Sequence, residues 1–192
     1  MTLAALNARH AAALAMPSQG KRFVLGEGNA NQPSLLLVGE APGAQEEALG
    51  RPFVGKAGQN LDHFLSVVRL ERGDLYITNA VKFRPTRTGP TGRLSNRTPT
   101  GQEVALFLPW LREEIQLVHP WAVVTLGNTP LRALAAQAQP IGQVRGQWMQ
   151  TDDGFPLFPL YHPAALIYRR ELAEVYESDL RRLATDMSAR VR

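Results

Sequence analysis

The chain contains no cysteine, which excludes disulfides, thiolate metal ligands and thiol nucleophiles. Its four histidines are scattered and lack the paired spacing of a zinc site, so no metal centre is expected. No apolar run approaches the roughly 18–20 residues of a membrane helix. The N-terminal stretch MTLAALNARHAAALAMPSQG superficially resembles a signal peptide. Arg9 and His10 interrupt it, however, and an amphipathic helix over 2–15 is the better reading. Cytoplasmic residence without membrane contact is the expectation. Nucleotide-binding patterns are missing too: Gly39 to Gly43 is not followed by Lys-Ser/Thr, Pro42 removes a backbone donor, and no dinucleotide fingerprint occurs. Acidic residues are absent from one long stretch, between Val81 and Thr100.

What is present is an ordinary globular composition of 192 residues, 44% hydrophobic and 20% charged. That length suits one domain with a real core, read here as residues 1–192, and a monomer is expected. The net charge is +4, and its distribution matters more than its sum. Lys82, Arg84, Arg87, Arg93 and Arg97 crowd the acid-free stretch, interleaved with Gly, Pro, Ser and Thr, and Arg169 and Arg170 follow a later turn. Such clusters suit phosphate contacts, because each neutralised phosphate releases counterions. A solvated basic loop is the competing reading. Position directly after a strand favours a nucleic-acid contact.

The hydrophobic pattern alternates short apolar runs with helical periods. Strands are expected over about 34–38, 75–81 and 121–127, with a weaker, proline-broken one over 155–163. Residues 57–69 place Leu61, Phe64, Leu65 and Val68 at helical spacing. Thr100 and Glu103 form a capping box for a helix that Pro120 ends after Val118. Further helices are expected from Thr129 and over about 170–187, while residues 84–99 form a long loop. Repeated strand–loop–helix units imply an α/β fold: a three-layer α/β/α sandwich around a central, mainly parallel four-stranded sheet.

In such a sheet the loops after successive strands converge at one edge, where ligands bind. Glu40 follows the first strand in Gly39-Glu40-Ala41-Pro42-Gly43, where bare backbone can approach a ligand closely. Its competing reading is a helix cap or surface carboxylate. Phe53 lies in the turn Gly50-Arg51-Pro52-Phe53-Val54-Gly55, where its ring either packs in the core or offers a face for stacking. Asn79 ends the second strand. Its amide either starts a turn or reads a carbonyl–imide edge. His162 follows the fourth strand, but His119-Pro120 repeats the His-Pro pair in a structural setting, so the pair alone carries little weight.

Taken together these segments resemble the uracil-DNA glycosylase superfamily, and most of all its family 4. The matches are Gly39–Gly43 with Glu46, Gly50–Gly58, Thr78-Asn79-Ala80-Val81-Lys82, Asn96-Arg97-Thr98-Pro99, Val144-Arg145-Gly146 and His162-Pro163-Ala164, over roughly residues 14–183. The resemblance implies a monofunctional DNA repair enzyme that flips uracil out of DNA and hydrolyses its N-glycosidic bond, leaving an abasic site. It implies that Glu40 positions or activates water and stabilises the cationic sugar. It further implies that Ala41 contacts the base through its backbone, Phe53 stacks on uracil, Asn79 bonds the imide edge, and His162 donates to the carbonyl where charge develops. Glu46 matches a motif acid of accessory role, and Leu166 either wedges into the gap left by the base or packs in its helix. The alternative is a DNA-damage-binding relative with little excision activity. An unrelated α/β hydrolase would lack a nucleophile motif here.

Family 4 members resemble one another in holding a [4Fe–4S] cluster on four cysteines. The corresponding positions fall near Ala11 and Leu14, at Phe83, and near Leu106 or Phe107. All are apolar, so a hydrophobic plug is expected instead and no cofactor. The stretch from Val81 to Asn96 is longer than the family pattern, and it does not match the Lys-Arg-Arg-Ile-His insertion of the branch that crosslinks to uracil-DNA.

Overall fold

The computed structural model describes residues 1–18 and 20–190, without the side chains of Lys56, Ala57, Gln59, Asn60, Ile167, Tyr168, Arg170 and Arg190. Helix α1 (Leu3–Leu14) is capped by Thr2, whose hydroxyl accepts the Ala5 N–H at 3.2 Å. The two-residue β1 (Glu27–Gly28) precedes β2 (Leu35–Gly39), α2 (Ala44–Leu49) and α3 (Lys56–Val68). Next come β3 (Leu75–Asn79), β4 (Thr86–Thr88), β5 (Leu94–Asn96) and α4 (Gly101–Val118). They are followed by β6 (Ala122–Leu126), α5 (Asn128–Leu134), α6 (Ile141–Val144) and β7 (Met149–Gln150). β8 (Pro156–Leu160), α7 (Pro163–Tyr168) and α8 (Ala173–Arg190) complete the chain.

The main sheet has the order β1-β3-β2-β6-β8-β7. Its inner strands β3, β2, β6 and β8 are parallel, as expected, and β1 and β7 add antiparallel edges. Strand β2 is buried on both faces and divides its side chains by the period of two. Leu35 and Leu37 join Leu61 and Phe64 of α3 and Tyr176 and Leu180 of α8. Leu36 and Val38 join Leu111 and Ile115 of α4 and Leu131 and Leu134 of α5 on the other face. Each such leucine, fully withdrawn from water, contributes roughly 2 kcal/mol. The two cores are therefore the two faces of one sheet, and the strand ends lie level between them.

Helix α4 starts at the expected capping box, with the Thr100 hydroxyl accepting the Glu103 N–H at 3.2 Å and the Glu103 carboxylate accepting the Thr100 N–H at 2.8 Å. It ends at His119, whose φ of 51° breaks the helix before Pro120. β8 tolerates Pro159 because β7 pairs only with Pro156 and Leu157, so Pro159 lies beyond that ladder, and Pro156 is the first residue of the strand. Two expectations change. Residues 84–99 contain an antiparallel hairpin, β4 with β5, rather than an irregular loop. The turn after β8 carries its own short helix, α7, ahead of α8.

Candidate functional site

Parallel register brings the chemistry to one edge. Gly39 of β2 is paired with Asn79 of β3, so Glu40 and Asn79 leave the sheet side by side. Gly127 follows β6, and its N–H bonds the Leu160 carbonyl at the end of β8, just before His162. A cleft of about 400 Å³ opens there, lined by Ala41, Gln45, Phe53, Asn79, Asn96 and His162 among others. It adjoins clefts of about 440 Å³ that share Glu40 and His162. A larger one, about 540 Å³, lies at the opposite end of β6 between His119–Trp121 and Asp153–Pro156. None of the motif residues reaches it, and the chemistry argues for the carboxyl edge.

The pocket is built around a close approach that only glycine permits. A Cβ on Gly39 would sit 2.3 Å from the Asn79 Oδ1 and 2.7 Å from the Phe53 ring. Phe53 is 2% exposed and its ring closes the floor between pocket and core. The core-packing reading holds, and the same ring borders the cleft. Its φ is +53°, in the left-handed region that a phenylalanine rarely adopts. Two side chains clamp it there: the Glu46 carboxylate accepts its N–H at 2.6 Å, and Arg72 donates to its carbonyl at 3.0 Å. The second oxygen of Glu46 accepts the Gly43 N–H at 2.5 Å. Glu46 is therefore a bracket between the two glycine-rich turns, both of its oxygens being occupied by backbone.

Asn79 presents a buried Nδ2 with no hydrogen-bond partner, an unmet donor on the pocket wall. Such a group costs roughly 1–3 kcal/mol unless a ligand completes it. His162 caps α7: its Nδ1 accepts the Ala164 N–H at 3.1 Å. That bond requires Nδ1 to be unprotonated, which puts the ring proton on Nε2. Burial lowers the His162 pKa and reinforces the neutral form. Glu40, half-buried, accepts from the Thr129 hydroxyl at 2.7 Å. Motif reading overlooked Thr129 and Arg72. Thr129 stood at the expected start of the helix after β6, whereas Arg72 reaches Phe53 across 19 residues of sequence and left no signal.

Against known proteins, residues 25–183 match the family described as the uracil DNA glycosylase superfamily. The chain belongs to the uracil-DNA glycosylase superfamily. It is 38% identical to a type-4 uracil-DNA glycosylase of Pyrobaculum aerophilum, over 83% of this chain and 81% of that protein. It is 36% identical to the type-4 enzyme of Thermotoga maritima, over 82% and 79%. The crystal structure of wild-type SMUG2 from Pedobacter heparinus superposes with a TM-score of 0.56 at 14% identity, covering 83% of this chain and 76% of that one, a likeness of fold.

Within this superfamily the type-4 resemblance implies an iron–sulfur cluster, and the residues present do not fit one. Leu14, Phe83 and Phe107 lie with Leu6, Val81 and Trp110 in a third core cluster between α1 and α4, flanked by Ala11, Phe23 and Leu106. The rings interlock, with centroids 5.5 Å apart for Phe83 and Phe107 and 5.6 Å for Phe23 and Phe107. These positions offer carbon where the cluster needs thiolate sulfur. No group of three or more His, Asp or Glu among the described residues could hold a metal instead.

The cations divide sharply. Lys82 was expected to meet DNA, and the structure corrects this. It is fully buried, with its ammonium bonded to Glu114 and Thr78. Glu114 also accepts from the Tyr76 hydroxyl at 2.8 Å. Lys82 follows β3 and turns toward α4, so its charge joins the interior rather than the basic surface. Arg84 bonds Asn96 at 2.7 Å and Glu47 at 3.2 Å. Arg97 forks onto Glu103 with two bonds of 2.6 Å and donates to the Thr86 carbonyl at 3.1 Å. That guanidinium holds the Glu103 carboxyl down to a pKa of about 2. Both arginines thus brace the base of the hairpin. Arg87 and Arg93 are exposed and carry no ion pair among the described residues. Exposed Arg169 pairs with Glu171 at 2.9 Å, and the Arg170 side chain lies outside the described residues. Leu166 is half-buried against the core of α3 and α8.

Proposed function

We propose that this protein is a monofunctional uracil-DNA glycosylase that flips uracil from DNA and hydrolyses its N-glycosidic bond without a metal cofactor. The observation that carries the reading is the unmet Asn79 Nδ2 beside a His162 whose proton is held on Nε2. Two donors of fixed position suit the two carbonyl oxygens of a uracil ring, and adenine offers no carbonyl to either. Phe53 provides the apolar floor on which a base stacks, worth about 1–3 kcal/mol. Ala41 contributes backbone contact along the same wall.

The chemistry divides between two groups. As the glycosidic bond breaks, the electron pair leaves with the base and negative charge grows on its carbonyl oxygen. The His162 Nε2–H stabilises that charge by donation, needing no reorganisation at the moment of reaction. Positive charge grows on the sugar, and Glu40 stands at the same cleft to stabilise it and to orient the attacking water. Thr129 occupies one oxygen of Glu40 and leaves the other for that work. The relatives named uracil-DNA glycosylase support the same reading.

The test is a uracil-containing oligonucleotide, treated with protein and then with alkali. Strand scission at uracil is expected, and Asn79→Ala should reduce it by about 100-fold or more. Scission unaffected in Asn79→Ala means the pocket lies elsewhere. Absence of scission on uracil, hypoxanthine and xanthine alike favours a DNA-damage-binding protein of the same superfamily.

A further inference from the structure

Two clefts meet at the carboxyl edge of the sheet. Phe53 and Asn79 line the first, and Glu40 with Thr98 lines the second. Ala41, Asn96, His162 and Ala164 border both. With the base on Phe53 and the sugar at Glu40, the glycosidic bond crosses the boundary that these four residues mark. Two of them have polar side chains, and His162 is committed to the base carbonyl. Asn96, the last residue of β5, is the other polar side chain at that crossing.

Its backbone and its amide are both held. Asn96 pairs with Thr86 across the hairpin, and the next residue, Arg97, donates its N–H to the Pro85 carbonyl at 3.1 Å. The Arg84 Nε donates to the Asn96 Oδ1 at 2.7 Å, and Glu47 holds Arg84 in turn at 3.2 Å. An amide whose oxygen is taken in this way presents its NH₂ at the other end. That end faces the turn that follows Glu40: a Cβ on Gly43 would stand 3.6 Å from the Asn96 Nδ2. Nδ2 has no hydrogen-bond partner among the described residues. A donor aimed at the sugar itself would oppose the positive charge that grows there. A water lone pair is an acceptor that this charge tolerates.

We propose, resting on the glycosylase reading of this pocket, that Asn96 is a further catalytic residue that holds the attacking water together with Glu40. The water donates one proton to the Glu40 oxygen that Thr129 leaves open. One of its lone pairs accepts from the Asn96 Nδ2–H, and the other points at C1′ of the sugar. As the C1′–N1 bond breaks, its electron pair leaves with uracil. The water oxygen then bonds C1′ and its proton passes to Glu40. A carboxylate alone lets the water swing about a single bond, whereas a donor on the far side fixes the attacking lone pair. Arg84 is the positioning residue, since it sets which end of the amide faces the water.

The test separates binding from the chemical step. The binding probe is a duplex carrying 2′-fluoro-2′-deoxyuridine, whose fluorine destabilises a cationic sugar and so prevents cleavage. Asn96→Ala should bind it as tightly as wild type, while its single-turnover excision of uracil from the ordinary duplex falls about 100-fold. In a Glu40→Ala background the same substitution should cost less than about 3-fold, because groups that act on one water are not additive. Asn96 is exposed, so Asn96→Ala should melt within about 4 °C of wild type, as expected for one lost side-chain bond. A wild-type excision rate in Asn96→Ala overturns the proposal. So does weaker binding of the fluorinated duplex with the single-turnover rate intact, which makes Asn96 a DNA contact, and so does an equal loss in both backgrounds. Wild-type protein that binds the fluorinated duplex yet excises no uracil overturns the glycosylase reading, and this assignment with it.

Discussion

Replacing Glu46 by glutamine separates a bracket from a catalyst. One Glu46 oxygen accepts the Phe53 N–H at 2.6 Å and the other the Gly43 N–H at 2.5 Å. The side chain is 8% exposed, so water cannot take over either bond. Glutamine keeps one acceptor but turns an NH₂ toward the second backbone N–H, setting donor against donor. Losing one charge-assisted bond and leaving its donor unmet costs about 2–4 kcal/mol. Phe53 adds to the effect, because its left-handed backbone is held only while the clamp persists. For a chain of this length each kcal/mol shifts melting by about 2–4 °C, so Glu46→Gln should melt about 4–16 °C below wild type. In an excision assay it should raise KM more than it lowers kcat, because a displaced Phe53 weakens stacking without touching Glu40 or His162. Melting at the wild-type temperature with kcat down by about 1,000-fold would refute the bracket and make Glu46 a catalytic acid.

Three further outcomes follow from the same geometry. Burial holds His162 neutral below its ordinary pKa of about 6.5. Excision should therefore persist as pH falls through 6.5 and decline only at lower pH, where the proton reaches Nδ1 and displaces the Ala164 N–H; half-loss at or above pH 6.5 contradicts this. Lys82→Met should cost about 3–5 kcal/mol in denaturant unfolding, because it leaves the Glu114 carboxylate buried without its cation. It should leave the salt slope of DNA affinity unchanged, and a slope lowered by about 1 would return Lys82 to the DNA surface. Phe107→Ala should cost about 3–5 kcal/mol by opening a cavity among Phe23, Phe83 and Trp110. A cost below about 1 kcal/mol would mean that these rings do not hold α1 to α4.

The parallel strands were legible because Leu35–Val38 and Ala122–Leu126 are unbroken apolar runs, the mark of strands covered on both faces. The capping box at Thr100 was legible because its two partners stand three residues apart. Glu27–Gly28 and Met149–Gln150 were not, since two residues carry no period and their pairing depends on neighbours distant in sequence. Charge was read from sequence as surface, which holds for Arg87 and fails for Lys82. Its compensating acid, Glu114, lies 32 residues away and a turn of helix had to place it. The hairpin was hidden for a similar reason: Thr86–Thr88 and Leu94–Asn96 are too short to alternate visibly, and their register is set by Arg97 reaching back to Thr86. Pocket residues were found through motif likeness, but the groups that hold them, Thr129 for Glu40 and Arg72 for Phe53, emerged only with the fold.

The central claim is that the pocket of Glu40, Phe53, Asn79 and His162 excises uracil with aromatic packing where relatives of type 4 resemble one another in holding a cluster. The most direct measurement is the amount of free uracil released from uracil-DNA by purified protein whose iron content is determined on the same sample. Multiple turnovers of uracil release from protein without iron is the predicted result. No release, or release that rises and falls with bound iron, would contradict the account.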